Sequence, residues 1–236
     1  MFLRGPSIKL AGELPPQDIS VYDYLGKNNE QIVPGYRYLI SWKDLYQTYG
    51  DFTDFTNNLI GTYSFVGELT ARNTETYSGK PLNTPETSSS GMFGQDSQQE
   101  KERLKFNDNV VQGELYIPWK KFTHPVYGEI EIGGWAKMSS RLPHPFMLQD
   151  MVHRVSSAVI FSASQTPEVK LEITDKKSVG KNLYQVTVRL SNSKAMPSMT
   201  YLAVKNNLYP KDMLKVNGEG IKVISGGLLT NPYNNL

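Results

Sequence analysis

Apolar and polar positions alternate in short runs along much of the chain. "YRYLISW", residues 36–42, is dense in aromatic and β-branched residues and predicts a strand. "TYSFVGEL", residues 62–69, predicts another. Between them, "KDLYQTYG" reads as a helix or turn stopped by Gly50, and "DFTDFTNNLIG" as a linker or helical turn. From 145 to 164 the period changes to 3.6. Leu148, Val152, Val155 and Val159 fall on one helical face with Met151 beside them, and Pro145 suits the first turn. After Pro167 the period is two: "EVKLEIT", "LYQVTVRLSN" and "IKVIS" predict three strands of a small β-sandwich. Residues 1–35 are expected to be irregular, because Pro6, Pro15, Pro16 and Pro34 interrupt any long element. Residues 71–105 carry few apolar side chains and predict a long, partly mobile surface insertion whose acids and glutamines form a solvated face. The expected organisation is an α/β portion over 1–164 and a β-sandwich module over 165–236.

Composition narrows the chemistry. With 25 Lys and Arg against 23 Asp and Glu, the net charge of +2 gives no electrostatic footprint for nucleic acid. No run of eighteen apolar residues is present, so no membrane span is expected. The absence of cysteine excludes disulfides, thiolate metal sites and cysteine nucleophiles. The start "MFLRGPSIKL" lacks the apolar stretch of a signal peptide and reads as the interior of a longer protein or an engineered start. His124, His144 and His153 are the only histidines, and no pair has metal-ligand spacing. Gly133-Gly134 reads as a turn after a strand.

One carboxylate stands out. Glu68 follows Gly67 at the end of the predicted strand, where it either turns into solvent or serves a site. Tyr46, Gln47, Asp54 and Phe55, then Tyr63, Ser64, Phe65, Glu68 and Leu69, keep the order and spacing of two adjoining motifs. These are a Tyr-Gln-x-x-Gly-x-x-x-Asp-Trp loop and a Tyr-Ser-Phe-Thr-x-Glu-Leu strand. The run resembles the C-terminal half of the active site in zinc carboxypeptidases of the carboxypeptidase A type. Phe55 stands for the usual tryptophan and Val66 for the usual threonine. "HPVYGEIEIGGWAKMSSRLPHPF", then "HR" and "QTP", resembles a bacterial subgroup in which a β-sandwich follows the peptidase domain.

The resemblance implies a fold, a reaction and a set of roles. The fold is the C-terminal part of a mixed-sheet carboxypeptidase-like α/β domain followed by an immunoglobulin- or transthyretin-like β-sandwich. The reaction is removal of C-terminal residues from a peptide substrate. Glu68 is the implied general base, taking a proton from a zinc-bound water and passing it to the leaving amine. Tyr46 is the implied clamp on the substrate. Leu45, Thr48, Thr53 and Val66 match the lining of the side-chain pocket; none is charged, which predicts preference for neutral C-terminal residues. An extracytoplasmic place, periplasmic or secreted, is implied too. The family's His-x-x-Glu and later His precede the loop, and this chain has no histidine before His124. Zinc is thus implied for the complete family enzyme and none is expected in this chain alone, its partner being the N-terminal part of the same domain. The alternative reading is a non-catalytic scaffold that binds a protein or cell-surface partner.

Overall fold

The computed structural model describes residues 2–5, 14–69, 97–137, 139 and 142–228. It mixes helices and strands in the α/β manner, with three small sheets. Strand β1 (Phe2–Arg4) lies at the centre of the first. It pairs in parallel with β2 (Tyr38–Ile40), Phe2 against Tyr38, and antiparallel with β3 (Phe65–Gly67), Phe2 against Gly67.

The first sheet rests on helix α1 (Pro16–Ile32). This corrects the expectation of irregular chain over 1–35. Pro16 occupies the first helical turn, where no N–H partner is needed, and Pro34 lies beyond the end. The prolines delimit the helix rather than break it. Gly26 lets α1 approach β2: a Cβ there would stand 2.3 Å from the Tyr38 ring. Buried Tyr22, Leu25 and Asn29 mark the helix's inner face.

After β2 the chain makes a wide helical turn over Ser41–Leu45, then helix α2 (Phe52–Asp54) continuing as a second wide turn to Leu59. The expected strand over 36–42 is therefore shorter. Helix α3 (Ser97–Asn109) falls at the end of the segment expected to be a solvated insertion; the rest of that segment, to residue 96, lies outside the described residues. The helix is polar yet anchored, with Glu102, Phe106 and Asn107 buried. Trp135 Nε1 donates to Glu100, and the Arg103 guanidinium lies 3.9 Å from the centre of the Trp135 indole.

Trp135 ends the hairpin of β4 (Tyr116–His124) and β5 (Gly128–Trp135). Gly133 and Gly134 sit inside β5, not in a turn. A Cβ at Gly133 would stand 2.6 Å from Trp119 Cα, opposite the irregular register between Ile117 and Lys120.

Helix α4 (Pro145–Ser164) has the predicted limits but a rotated inner face. Met151, Ala158 and Ser162 are buried and Val155 packs partly against the core, while Leu148, Val152 and Val159 are exposed. Asn29 Nδ2 donates to Ser162 Oγ at 3.1 Å, turning the helix toward α1 through a small polar contact. Phe2, Val33, Tyr36, Met151 and Ala158 form the core between sheet and helices.

The C-terminal region holds one long hairpin, β6 (Val169–Gly180) with β7 (Leu183–Asn192), and the short helix α5 (Tyr201–Lys205). Two of the three predicted strands are present. "IKVIS" is not a strand: Gly218 and Gly220 precede it, Gly226 and Gly227 follow, and no strand among the described residues offers it a ladder. Among the described residues the strands of this region form a two-stranded ribbon. No helix among the described residues is long and apolar enough to cross a membrane.

Candidate functional site

Glu68 directly follows β3, and its side chain is exposed. Its backbone is held. The Tyr36 hydroxyl donates to the Glu68 carbonyl oxygen. Tyr36 is delivered by the turn Val33-Pro34-Gly35-Tyr36, closed by Tyr36 N–H donating to Val33 O at 3.0 Å. Gly35 has φ 81°, so this Pro-Gly pair has the residues a type II turn requires. Burial pushes the Tyr36 phenol up to about 12, and the nearby Glu68 charge adds to the shift. Tyr36 escaped the sequence reading, although the Pro-Gly turn before it is a legible signal.

The strand leading to Glu68 is fixed from beneath by α1. The Tyr22 hydroxyl accepts from Ser64 N–H at 2.7 Å and from Asn57 Nδ2 at 2.9 Å. The Tyr63 hydroxyl donates to Asp18 Oδ1 at 3.0 Å, and its ring meets Tyr22 edge-on with centroids 5.2 Å apart. On the central strand, the buried Arg4 guanidinium lies 6.0 Å from the centre of the Tyr22 ring. Burial holds the Tyr63 and Tyr38 phenols well above their ordinary range. The Asp18 charge reinforces the shift at Tyr63, whereas at Tyr38 the Arg4 charge opposes it and Asp23 reinforces it.

The loop is ordered around Asp51. Its carboxylate accepts from Thr48 Oγ1 at 2.8 Å, Thr53 Oγ1 at 2.7 Å and Asp54 N–H at 2.9 Å. Asp51 thus caps α2 and occupies the hydroxyls of two residues expected to line a pocket. Thr53 is buried, with its Cβ 3.0 Å from where a Gly5 Cβ would stand. Tyr46 is half exposed and donates its N–H to Ser41 O at 3.1 Å. Leu45 ends the first wide turn, and Val66 is an exposed residue of β3.

These residues do not converge. The strand register places Phe2 beside Gly67, so Glu68 leaves the sheet at the Phe2 end. Arg4 pairs with Ile40, so Leu45, Tyr46 and Thr48 follow from the opposite end. The roles implied by the resemblance need Glu68 on an inner strand facing a cleft with Tyr46 at its rim. Among the described residues β3 is an edge strand, because β1 holds the centre of the sheet. Clefts of about 530 and 460 Å³ lie beside α5 and beside α4, and none of the six predicted residues lines either.

The histidines lie apart. His124 Nδ1 accepts from the N–H groups of Val126 and Tyr127 at the β4–β5 tip, and His144 Nε2 lies 3.0 Å from Glu114 Oε2. Among the described residues no three His, Asp or Glu side chains gather as a metal centre requires.

A family model described as a domain of unknown function (DUF8731) matches residues 168–234, a range that includes the β6–β7 hairpin and α5. No curated protein and no solved structure matches the chain.

The tyrosine network carries a pH signature. Tyrosine in an unfolded chain ionises near 10, about two units below the folded value of about 12 for Tyr22, where burial is the largest cause. A raised folded value means the contribution is complete below about pH 10 and is lost as pH rises toward 12. Unfolding free energy should thus fall between about pH 9 and pH 11.5, with Tyr22 accounting for about 2 kcal/mol of the fall. Urea midpoints at the two pH values measure this; a flat or rising stability would contradict it.

Proposed function

We propose that this chain is the C-terminal part of a carboxypeptidase-like peptide hydrolase, with Glu68 as general base. The observation that carries this reading is the treatment of Glu68 itself. Its backbone is pinned by the Tyr36 hydroxyl while its carboxylate stays open to solvent. A base must be fixed in position and free at its oxygens. In the proposed step, Glu68 takes a proton from the water attacking the scissile carbonyl. The C–N bond then breaks, and the proton passes to the departing amine. Tyr46, on the Asp51-ordered loop, would engage the peptide. The family's metal ligands would lie in an upstream portion of the same domain. The β-sandwich and an extracytoplasmic location belong to the same proposal; the apolar stripe of Leu171, Ile173, Val188 and Leu190 along the ribbon supports further strands packing there.

A second reading, a non-catalytic scaffold that binds a protein partner, draws on one observation: Tyr46 and Glu68 leave opposite ends of the sheet. Selectivity separates the two. Leu45, Thr48, Thr53 and Val66 are uncharged, and the threonine hydroxyls are engaged by Asp51. A Lys or Arg side chain entering such a lining would lose hydration and meet only the Asp51 carboxylate, whose oxygens are already engaged by Thr48, Thr53 and the Asp54 N–H. The native protein should release neutral C-terminal residues about 10–100-fold faster in kcat/KM than Lys or Arg. A matched peptide set ending in Leu, Phe, Lys and Arg measures this. Faster release of Lys or Arg would overturn the pocket assignment, and no release from any peptide would favour the scaffold.

A further inference from the structure

The segment 200–209 turns back from the C-terminal hairpin and meets Ile60 and Gly61, shortly before β3. Three side chains make the junction. Thr200 Oγ1 donates to Gly61 O at 2.6 Å and accepts from Ala203 N–H at 3.0 Å. The Tyr209 hydroxyl donates to Ile60 O at 2.7 Å. Asp18, buried on α1, accepts from Tyr201 N–H and Leu202 N–H, both at 2.8 Å, and from the Tyr63 hydroxyl at 3.0 Å. One carboxylate thus ties α1, α5 and the strand that leads to Glu68.

Packing at the junction is equally close. A Cβ on Gly61 would stand 2.7 Å from Ala203 Cβ and 2.8 Å from Leu208 Cδ1, and Gly61 has φ 70°. Ala203 is fully buried. The Ile60 and Gly61 carbonyls lie just past the wide turn that ends at Leu59, where helical carbonyls run out of intrahelical partners. Thr200 and Tyr209 supply those partners.

We propose that residues 200–209 form a positioning strap for the Tyr63–Glu68 segment, giving the region matched as a domain of unknown function a role in the neighbouring candidate site. The proposal rests on the reading of Glu68 as the base. The strap touches neither substrate nor reacting atoms. It fixes where the strand begins, and the stiff run from Tyr63 through Ser64, held by Asp18 and Tyr22, carries that position toward Glu68. Loosening it should act on turnover, which needs the carboxylate in place, more than on peptide binding.

The test uses the full-length native protein and the variants Tyr209→Phe, Thr200→Val and Thr200→Ser. Tyr209 is half exposed, so Y209F removes one hydroxyl from a solvated ring and should leave folding intact. Hydrogen exchange read by mass spectrometry should quicken about tenfold over residues 60–68 in T200V and Y209F, with α1 and the β6–β7 hairpin unchanged. T200S should restore the slow exchange. In peptide hydrolysis, kcat should fall about three- to tenfold with KM within about twofold, and T200S should recover it. Unchanged exchange over 60–68, or acceleration spread evenly over the chain, would overturn the strap. A wild-type protein that cleaves no peptide would sink the Glu68 reading alone, because the exchange result decides the strap by itself.

Discussion

The variant Y22F should lose about 2–4 kcal/mol of unfolding free energy. The Tyr22 ring packs in the interior, and its hydroxyl accepts two hydrogen bonds, from Ser64 N–H and from the Asn57 side-chain amide. Ser64 and Asn57 are themselves buried, so water does not replace the lost acceptor. The buried Ser64 N–H left without a partner costs about 1–3 kcal/mol, and the Asn57 amide, which keeps only the Thr62 carbonyl at 3.3 Å, adds about 1 kcal/mol, far more than the small gain from a slightly more apolar ring. In a protein of this size the loss corresponds to a drop in Tm of roughly 5–15 °C. Y24F supplies the comparison: Tyr24 is exposed, and its loss should stay within about 0.5 kcal/mol. Urea unfolding with an unchanged m-value measures both. A Y22F protein as stable as wild type would show that Tyr22 does not support the strand.

The second large effect is chemical. E68Q should lower kcat for C-terminal release about 10²–10⁴-fold in the native protein, with KM little altered. Glutamine has nearly the same shape but does not take a proton from water at neutral pH. The structural contact at this position uses the backbone carbonyl, which accepts from Tyr36, so E68Q leaves it intact. The side chain is exposed, so folding should be indifferent to the change. Equal urea midpoints beside a collapsed kcat would place Glu68 in the chemistry. A loss of less than threefold would remove it from that role.

How much was legible varies with the kind of signal. The limits of α4 were legible because Pro145 marks the first turn and the 3.6 period runs unbroken to Ser164. Its inner face was not. Leu148, Val152 and Val159 are the more hydrophobic set, yet Ala158 and Ser162 face inward, since small residues permit close approach and Ser162 meets Asn29. Proline counting hid α1, because a proline at the first turn and another beyond the end are compatible with a helix between them. Polarity hid α3, whose anchors are isolated residues such as Phe106 and whose partner, Trp135, lies 35 residues beyond the Glu100 it bonds. Period two correctly marked β6 and β7, which pair with each other through a short turn. It failed at "IKVIS", where alternation specifies a face but supplies no neighbouring strand. At the candidate site, the motif placed Glu68 at a strand end, as observed. Tyr36, Asp18 and Tyr22 were invisible to the motif because they act through the folded chain from 32 to 50 residues upstream of Glu68.

The central claim concerns removal of residues from a free peptide C-terminus with Glu68 as the base, and one measurement addresses it directly. The native protein and its E68Q variant are incubated with one peptide in two forms, free acid and C-terminal amide, and the products are weighed by mass spectrometry. The account predicts that the wild type shortens the free-acid peptide one residue at a time from its C-terminus, spares the amide, and loses this action in E68Q. Internal cleavage, equal action on both forms, or no shortening by the wild type would contradict it.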